Sequence, residues 1–159
     1  MRKFAIAAAV AGLTALGLGL PATAAQASGT GAQASGCNSK WPGRDGYVRA
    51  WDGSDCQGTL LGGTAGNDGD WSDSAGAFQG GDANKASSVM NSGYTGSLDV
   101  VKFYYLPVGS GYQAYNCLKA SEYFVDNLSR NTFTNGMTMD NQIMGHEWVN
   151  ASSCSRFMS

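Results

Sequence analysis

The sequence carries one imidazole, His146, and its neighbours decide what that ring can do. His146-Glu147-Trp148-Val149-Asn150 begins like the HExxH motif of zinc proteases, in which two His ligands share one helical face and the Glu acts as base. Asn150 stands where the second His is needed, and Met144 to Val149 reads as a β-strand. His146 is therefore expected on a strand, with its ring packed beside Trp148 or facing solvent. Gly109-Ser110-Gly111 lacks the five-residue G-x-S-x-G frame of a nucleophile elbow. A glycosidase pair of carboxylates leaves no spacing signature in sequence. Hydrolysis needs a nucleophile or water activated by an oriented base, and no such constellation is expected here. Asp68, Asp70 and Asp73 alternate like the opening of a calcium loop, but the other ligands of an EF-hand do not follow, so they read as a solvated turn.

The four cysteines, Cys37, Cys56, Cys117 and Cys154, contain no C-x-x-C pair, which with a single His argues against zinc. In an oxidising compartment an even count reads as two disulfides. Three pairings exist. Two cysteines fall in each half of the mature chain, which favours Cys37 with Cys56 and Cys117 with Cys154, each loop closure stabilising by roughly 3 to 4 kcal/mol.

The compartment is indicated by the first 27 residues. Arg2 and Lys3 precede an apolar stretch from Phe4 to Leu20, and Pro21 opens a small-residue region. This is the pattern of a secretory signal peptide. Small-x-small sites allow cleavage after Ala24, Ala27 or Ala34, and Ala27 is favoured. Residues 28–36 are too poor in apolar groups to offset ordering entropy and are expected to be a flexible leader. The domain is then expected over residues 37–159. Without Arg2 and Lys3, 8 basic residues face 12 acidic ones, a net charge of −4. Scattered cations and an acidic balance argue against nucleic acid as a partner, and no later apolar run approaches the ~20 residues that span a bilayer. A secreted, extracellular monomer is expected.

Past Cys37 there is no sustained 3.6-residue apolar period. Short β-prone runs, Tyr47 to Trp51, Val100 to Tyr105, Tyr112 to Leu118 and Met144 to Val149, are separated by Gly, Asn, Asp and Ser, so the chain reads as all-β. Tyr47, Arg49 and Trp51 share one face of their strand, and Val101, Phe103 and Tyr105 share one of theirs. Gly62 to Gly81 reads as a long connection anchored by Trp71 and Phe78.

The chain also repeats itself. In Trp51-Asp-Gly-Ser-Asp-Cys-Gln-Gly58 an aromatic precedes Gly by seven residues, and Tyr104-Tyr-Leu-Pro-Val-Gly-Ser-Gly111 has the same spacing, an offset of 53 (51 to 104). NKASSVMN from Asn84 answers NQIMGHEW from Asn141 at an offset of 57 (84 to 141), so the second copy carries four extra residues.

These motifs resemble the βγ-crystallin superfamily, whose Greek-key unit opens with an aromatic-acid-x-x-x-aromatic-x-Gly hairpin and ends near Asn/Asp-Asn/Asp-x-x-Ser/Thr-Ser. Trp51, Asp52 and Gly58 fit that hairpin, with Cys56 at the second aromatic position. More narrowly, NKASSVMN followed by a half ending DNQIMGHEWV resembles a bacterial family of secreted metalloproteinase inhibitors over about Cys37 to Cys154. The resemblance implies a double Greek-key sandwich in which a late Ser folds its hydroxyl over the hairpin. It also implies oxygen ligands for Ca²⁺ drawn from both halves. Asn84 and Ser87-Ser88 match that pattern behind Ala83, and Asp140-Asn141 match it, while Met144 and Gly145 replace both hydroxyls. The remaining set, Asn84, Ser87, Asp140 and Asn141, implies at most a weak Ca²⁺ site, and no other cofactor is expected.

The implied activity is inhibition of a secreted metalloprotease by cleft occlusion, with no enzymatic function. Cys117-Leu118 is the expected inhibitory contact, a cross-linked residue followed by a large apolar one, although Leu118 equally suits a strand core. Two alternatives remain open: a carbohydrate or cell-wall binding module stacking sugars on Trp41, Trp51, Trp71 or Trp148, and a structural crystallin-like module.

Overall fold

The computed structural model describes residues 36–159. The signal peptide and the leader through residue 35 lie outside the described residues, and Gly36, expected to close the leader, instead opens a short helix. That helix, α1 (Gly36–Lys40), precedes seven strands: β1 (Val48–Trp51), β2 (Leu60–Thr64), β3 (Ser88–Asn91), β4 (Val100–Tyr104), β5 (Tyr115–Leu118), β6 (Phe124–Val125) and β7 (Gly145–Val149). They form two antiparallel sheets, ordered β2-β1-β3-β6 and β5-β4-β7. The all-β reading holds apart from α1.

The alternation of side chains explains why these segments are strands. Val48, Ala50 and Val89 from one sheet and Val101, Phe103 and Leu118 from the other enter a single buried cluster, so the two sheets share one core. The opposite face of the first sheet is covered too. Trp51 and Met90 point into a smaller cluster with Cys37 and Cys56, against which Trp41 and Phe124 pack. The Cys37–Cys56 disulfide thus acts as part of that core as well as closing a loop. Cys117 pairs with Cys154, so both local pairings are the ones formed. Disulfides of this kind form and persist in oxidising compartments.

The repeat is visible in the pairing. Asp68 exchanges backbone hydrogen bonds with His146 of β7 (3.1 and 2.6 Å), which places a segment of the first half at the edge of the second sheet. Val125 of β6 pairs with Val89 of β3, which places a segment of the second half at the edge of the first sheet. Both moves occur at the same relative positions, since 68 to 125 and 89 to 146 are each 57 residues. The two halves therefore exchange their third extended segments.

Local chemistry fixes the hairpins. Between β1 and β2, Asp52 Oδ1 accepts from Thr59 N–H at 2.6 Å, and Gly58 takes φ 74°, where a Cβ would run into the Asp52 carboxylate. Ser88 Oγ donates to the Gly53 carbonyl (2.6 Å) and accepts from Cys56 N–H (3.0 Å), closing this hairpin from above. Gly145 occupies the equivalent place in the second half, and there the Gly69 backbone fills the space a side chain would need. The chain end covers the free edge of β5: Cys117 N–H donates to Arg156 O (3.2 Å), Met158 N–H donates to Cys117 O (2.9 Å), and Met158 is buried.

The connection from β2 to β3 starts after Thr64 rather than at Gly62. Its two aromatics anchor it as expected, with Trp71 and Phe78 fully buried and stacked at 4.0 Å.

Candidate functional site

His146 lies in the core and away from solvent, which corrects the expectation of a ring beside Trp148 or facing water. Register decides this. His146 pairs with Phe103 across the β4–β7 ladder and falls on the inner face, between Trp71 (5.7 Å) and Phe78 (5.4 Å). Trp71 Nε1–H donates to His146 Nδ1 (3.0 Å), which leaves Nε2–H to donate to the Gly66 carbonyl at 3.1 Å. Burial pushes its pKa down to about 4, against a smaller opposing effect of the Gly66 bond. A neutral, sequestered ring with both nitrogens engaged has neither access nor a free lone pair for catalysis. Glu147 points to the other face and accepts from the Tyr104 hydroxyl at 2.5 Å; burial first, and then this bond, raise the Tyr104 pKa.

The acidic loop divides. Asp70 and Asp73 are turn formers that accept from Ser72 N–H (2.9 Å) and Ala75 N–H (2.7 Å). Asp68 is no solvated turn residue: it is buried, and its Oδ2 accepts from Ala77 and Phe78 N–H (3.1 and 3.0 Å), tying down the segment that delivers Phe78 to the core.

The four residues of the expected Ca²⁺ set lie on two adjoining segments. Asn84 N–H donates to Ile143 O (2.8 Å) and Asn141 N–H to Ala86 O (2.9 Å). Asn84 and Asn141 are exposed, Ser87 is buried, and Asn141 Nδ2 donates to Asp140 Oδ2 at 3.2 Å. The segments meet through backbone, and among the described residues no three His, Cys, Asp or Glu side chains gather.

Cys117 and Leu118 are fully buried on β5, paired with Lys102 and Val101 of β4. Leu118 sits in the main core cluster. Neither can enter a protease cleft while the domain is folded, so the expected inhibitory contact is corrected. The strand core, the other role open to Leu118, is the one it takes. Trp51 and Trp71 are likewise buried and offer no stacking platform. Trp41 and Trp148 are half-buried and line two different cavities.

Three features of the described surface bear on function. The first is the β4–β5 loop, residues 106–113. Pro107 O accepts from Ser110 N–H (3.1 Å), Ser110 Oγ (2.5 Å) and Gln113 Nε2 (3.0 Å), while Val108 N–H donates to Gly69 O at 2.9 Å. This rigid loop exposes Val108 at 40% and Tyr112 at 73%. The second is a groove of about 500 Å³ lined by Tyr94, Leu98, Trp148 and Asn67, with Asp45 at its edge. Burial would raise the Asp45 pKa, but hydrogen bonds from Arg49, Ser92 and the Tyr47 N–H hold it at about 2. The groove's one carboxylate is thus spent on structure.

The third is a cavity of about 320 Å³ lined by Asn38, Trp41, Glu122, Tyr123 and Phe124. Tyr123 has φ 61° and ψ −54°, a region rare for a bulky residue that costs on the order of 1 to 3 kcal/mol. Its ring meets Trp41 edge to face at 5.0 Å, and the Arg44 guanidinium lies over both, 5.2 Å from Trp41 and 4.8 Å from Tyr123. Arg44, Tyr123 and Val108 were not singled out by sequence reasoning. For Val108 a signal existed, because Leu106-Pro107 followed by Gly109 and Gly111 is turn chemistry that forces the intervening residues outward.

Compared with protein families, with curated proteins and with solved structures, the chain matches none.

Proposed function

We propose that the chain is a secreted, non-catalytic inhibitor of a metalloprotease, built on a crystallin-like double Greek key, that occludes the enzyme's cleft with its β4–β5 loop. The double Greek key is supported by the exchange of third segments between the halves, Asp68 with His146 and Val125 with Val89. Membership of the metalloproteinase-inhibitor family rests on the motifs around Asn84 and Asn141. Two disulfides in a domain of this size suit an extracellular setting.

The observation that carries the inhibitory reading is the construction of residues 106–113. An occluding segment gains affinity when its ordering entropy is lost at folding and not at binding. Three donors on one carbonyl and a tether to Gly69 supply that preorganisation. Val108 supplies the exposed apolar side chain that a hydrophobic subsite would take.

The test is titration of thermolysin-like, serine and cysteine proteases with the purified protein and with Val108→Asp. Inhibition confined to the metalloproteases and weakened by Val108→Asp is the expected result, since a carboxylate in an apolar subsite loses hydration without gaining a partner. No inhibition of any metalloprotease at micromolar protein rejects the activity. Undiminished inhibition by folded Val108→Asp rejects the loop.

A further inference from the structure

We infer that the cavity between Trp41 and Tyr123 is a binding site for a neutral pyranose unit of a polysaccharide, separate from the inhibitory loop. Its walls are prepared before any ligand arrives. Trp41 follows α1, which the Cys37–Cys56 disulfide fastens to the minor core, and Trp41 and Phe124 both pack against that core. Tyr123 is held in a strained backbone conformation that a flexible surface loop would relax.

Arg44 rigidifies the pair. Its guanidinium donates to three carbonyls, Asn91 (3.3 Å), Gly93 (3.1 Å) and Ala120 (2.6 Å), and from that fixed position lies against both rings. The two aromatic planes stand at 88°, so they form a corner and not a flat plate.

The chemistry of the walls selects the ligand. A cation is disfavoured because Arg44 already draws on the negative faces of both rings. An anion meets Glu122, an exposed carboxylate that makes no ion pair among the described residues. A neutral ring with C–H groups on its faces and hydroxyls on its rim satisfies both walls. The C–H face packs on the ring surface turned to the cavity, which Arg44 does not line, and the hydroxyls donate to Glu122, which can only accept. The volume, about 320 Å³, is at the small end of ligand sites and suits a single sugar ring of a longer chain.

This inference does not depend on protease inhibition, and the two are read out separately. The full chain is titrated with chitotetraose, cellotetraose and xylotetraose by calorimetry and tryptophan fluorescence. Saturable binding of at least one, with a change in indole emission, is expected. Glu122→Gln should weaken it about tenfold or more, as loss of a charged hydrogen-bond acceptor does, and Tyr123→Ala should do the same. Tyr94→Ala in the larger groove and Tyr112→Ala on the β4–β5 loop should leave it unchanged, and protease inhibition by Glu122→Gln should match that of the parent. Absence of saturable binding to all three oligosaccharides up to about 10 mM, weaker than any functional affinity would be, overturns the inference. So does binding that survives in a folded Glu122→Gln variant, or that is lost in Tyr94→Ala.

Discussion

Asn84 and Asn141 are related by the internal repeat and bind each other's half of the chain. Each has a left-handed backbone, φ 59° and 57°, and each sends its N–H to the carbonyl two residues beyond the other, Ile143 and Ala86. The left-handed turn is what points each N–H across the seam. Asn tolerates that conformation better than other non-glycine residues. Asn141→Ala should therefore cost about 1 to 2 kcal/mol, while Asn141→Gly should lie within a few tenths of the parent. Urea unfolding of both variants, and of the matching pair at Asn84, measures the difference; equal losses for Ala and Gly would mean that the Asn side chain matters and not its backbone.

The buried imidazole sets a pH window. His146 has a folded pKa of about 4 against an ordinary 6.5, so between those values the unfolded chain binds a proton that the folded chain refuses. Stability contributed by the neutral ring is complete above about pH 6.5 and is lost as pH falls toward 4, by roughly 3 kcal/mol. Asp45, held at about 2, loses its contribution in a lower window, below its ordinary 3.8. Unfolding free energies should decline from pH 7.5 to 4.5 in the parent. A His146→Phe variant, destabilised throughout because Trp71 Nε1 and Gly66 O lose their partner, should show no decline over that range.

Calcium should matter little. A bound ion stabilises by RT ln(1 + [L]/Kd), roughly 2.7 kcal/mol at a hundredfold excess over Kd. Ala83, Met144 and Gly145 withhold the oxygens that would generate that affinity, and the Asn84 and Asn141 segments are already joined by backbone hydrogen bonds. Melting curves with millimolar Ca²⁺ and with chelator should superimpose; a rise of several degrees with Ca²⁺ would contradict this.

Truncating Leu118 should test folding and leave the β4–β5 loop, the proposed inhibitory segment, intact. Its side chain is buried in the shared core, so Leu118→Ala should cost about 2 to 5 kcal/mol, as core truncations do. Inhibition per folded molecule should be unaltered. A Leu118→Ala protein that folds at full stability would contradict the β5 placement.

Much of the molecule was legible locally. Four strands announce themselves by β-prone runs between turn formers, the two-copy architecture by the Asn84 and Asn141 segments, and the disulfide partners by two cysteines in each half. Trp71 and Phe78 could be read as anchors because large aromatics in a Gly- and Asp-rich stretch have few other uses. These features depend on composition and on spacing along the chain, which the chain carries whatever its fold. The helix α1, in contrast, is one turn of Gly-Cys-Asn-Ser-Lys with no apolar period, and it is positioned by a disulfide to Cys56 and not by propensity.

Exposure was decided only in three dimensions. An alternating strand has two faces, and sequence does not say which one the other half will cover; that choice buries Leu118 and His146. The two-residue strand β6 is too short to show alternation and exists because β3 offers it an edge. The corner made by Trp41, Arg44 and Tyr123 joins residues some 80 positions apart (41 to 123) through ring contacts and through carbonyls of two further stretches, Asn91 and Gly93 in one and Ala120 in the other. Sequence indicated which pieces are rigid and which are repeated, and favoured one of three disulfide pairings, because these follow from local sterics and from the spacing of motifs and cysteines along the chain. Tertiary structure determined which side chains meet solvent, because burial depends on the distant segment that arrives.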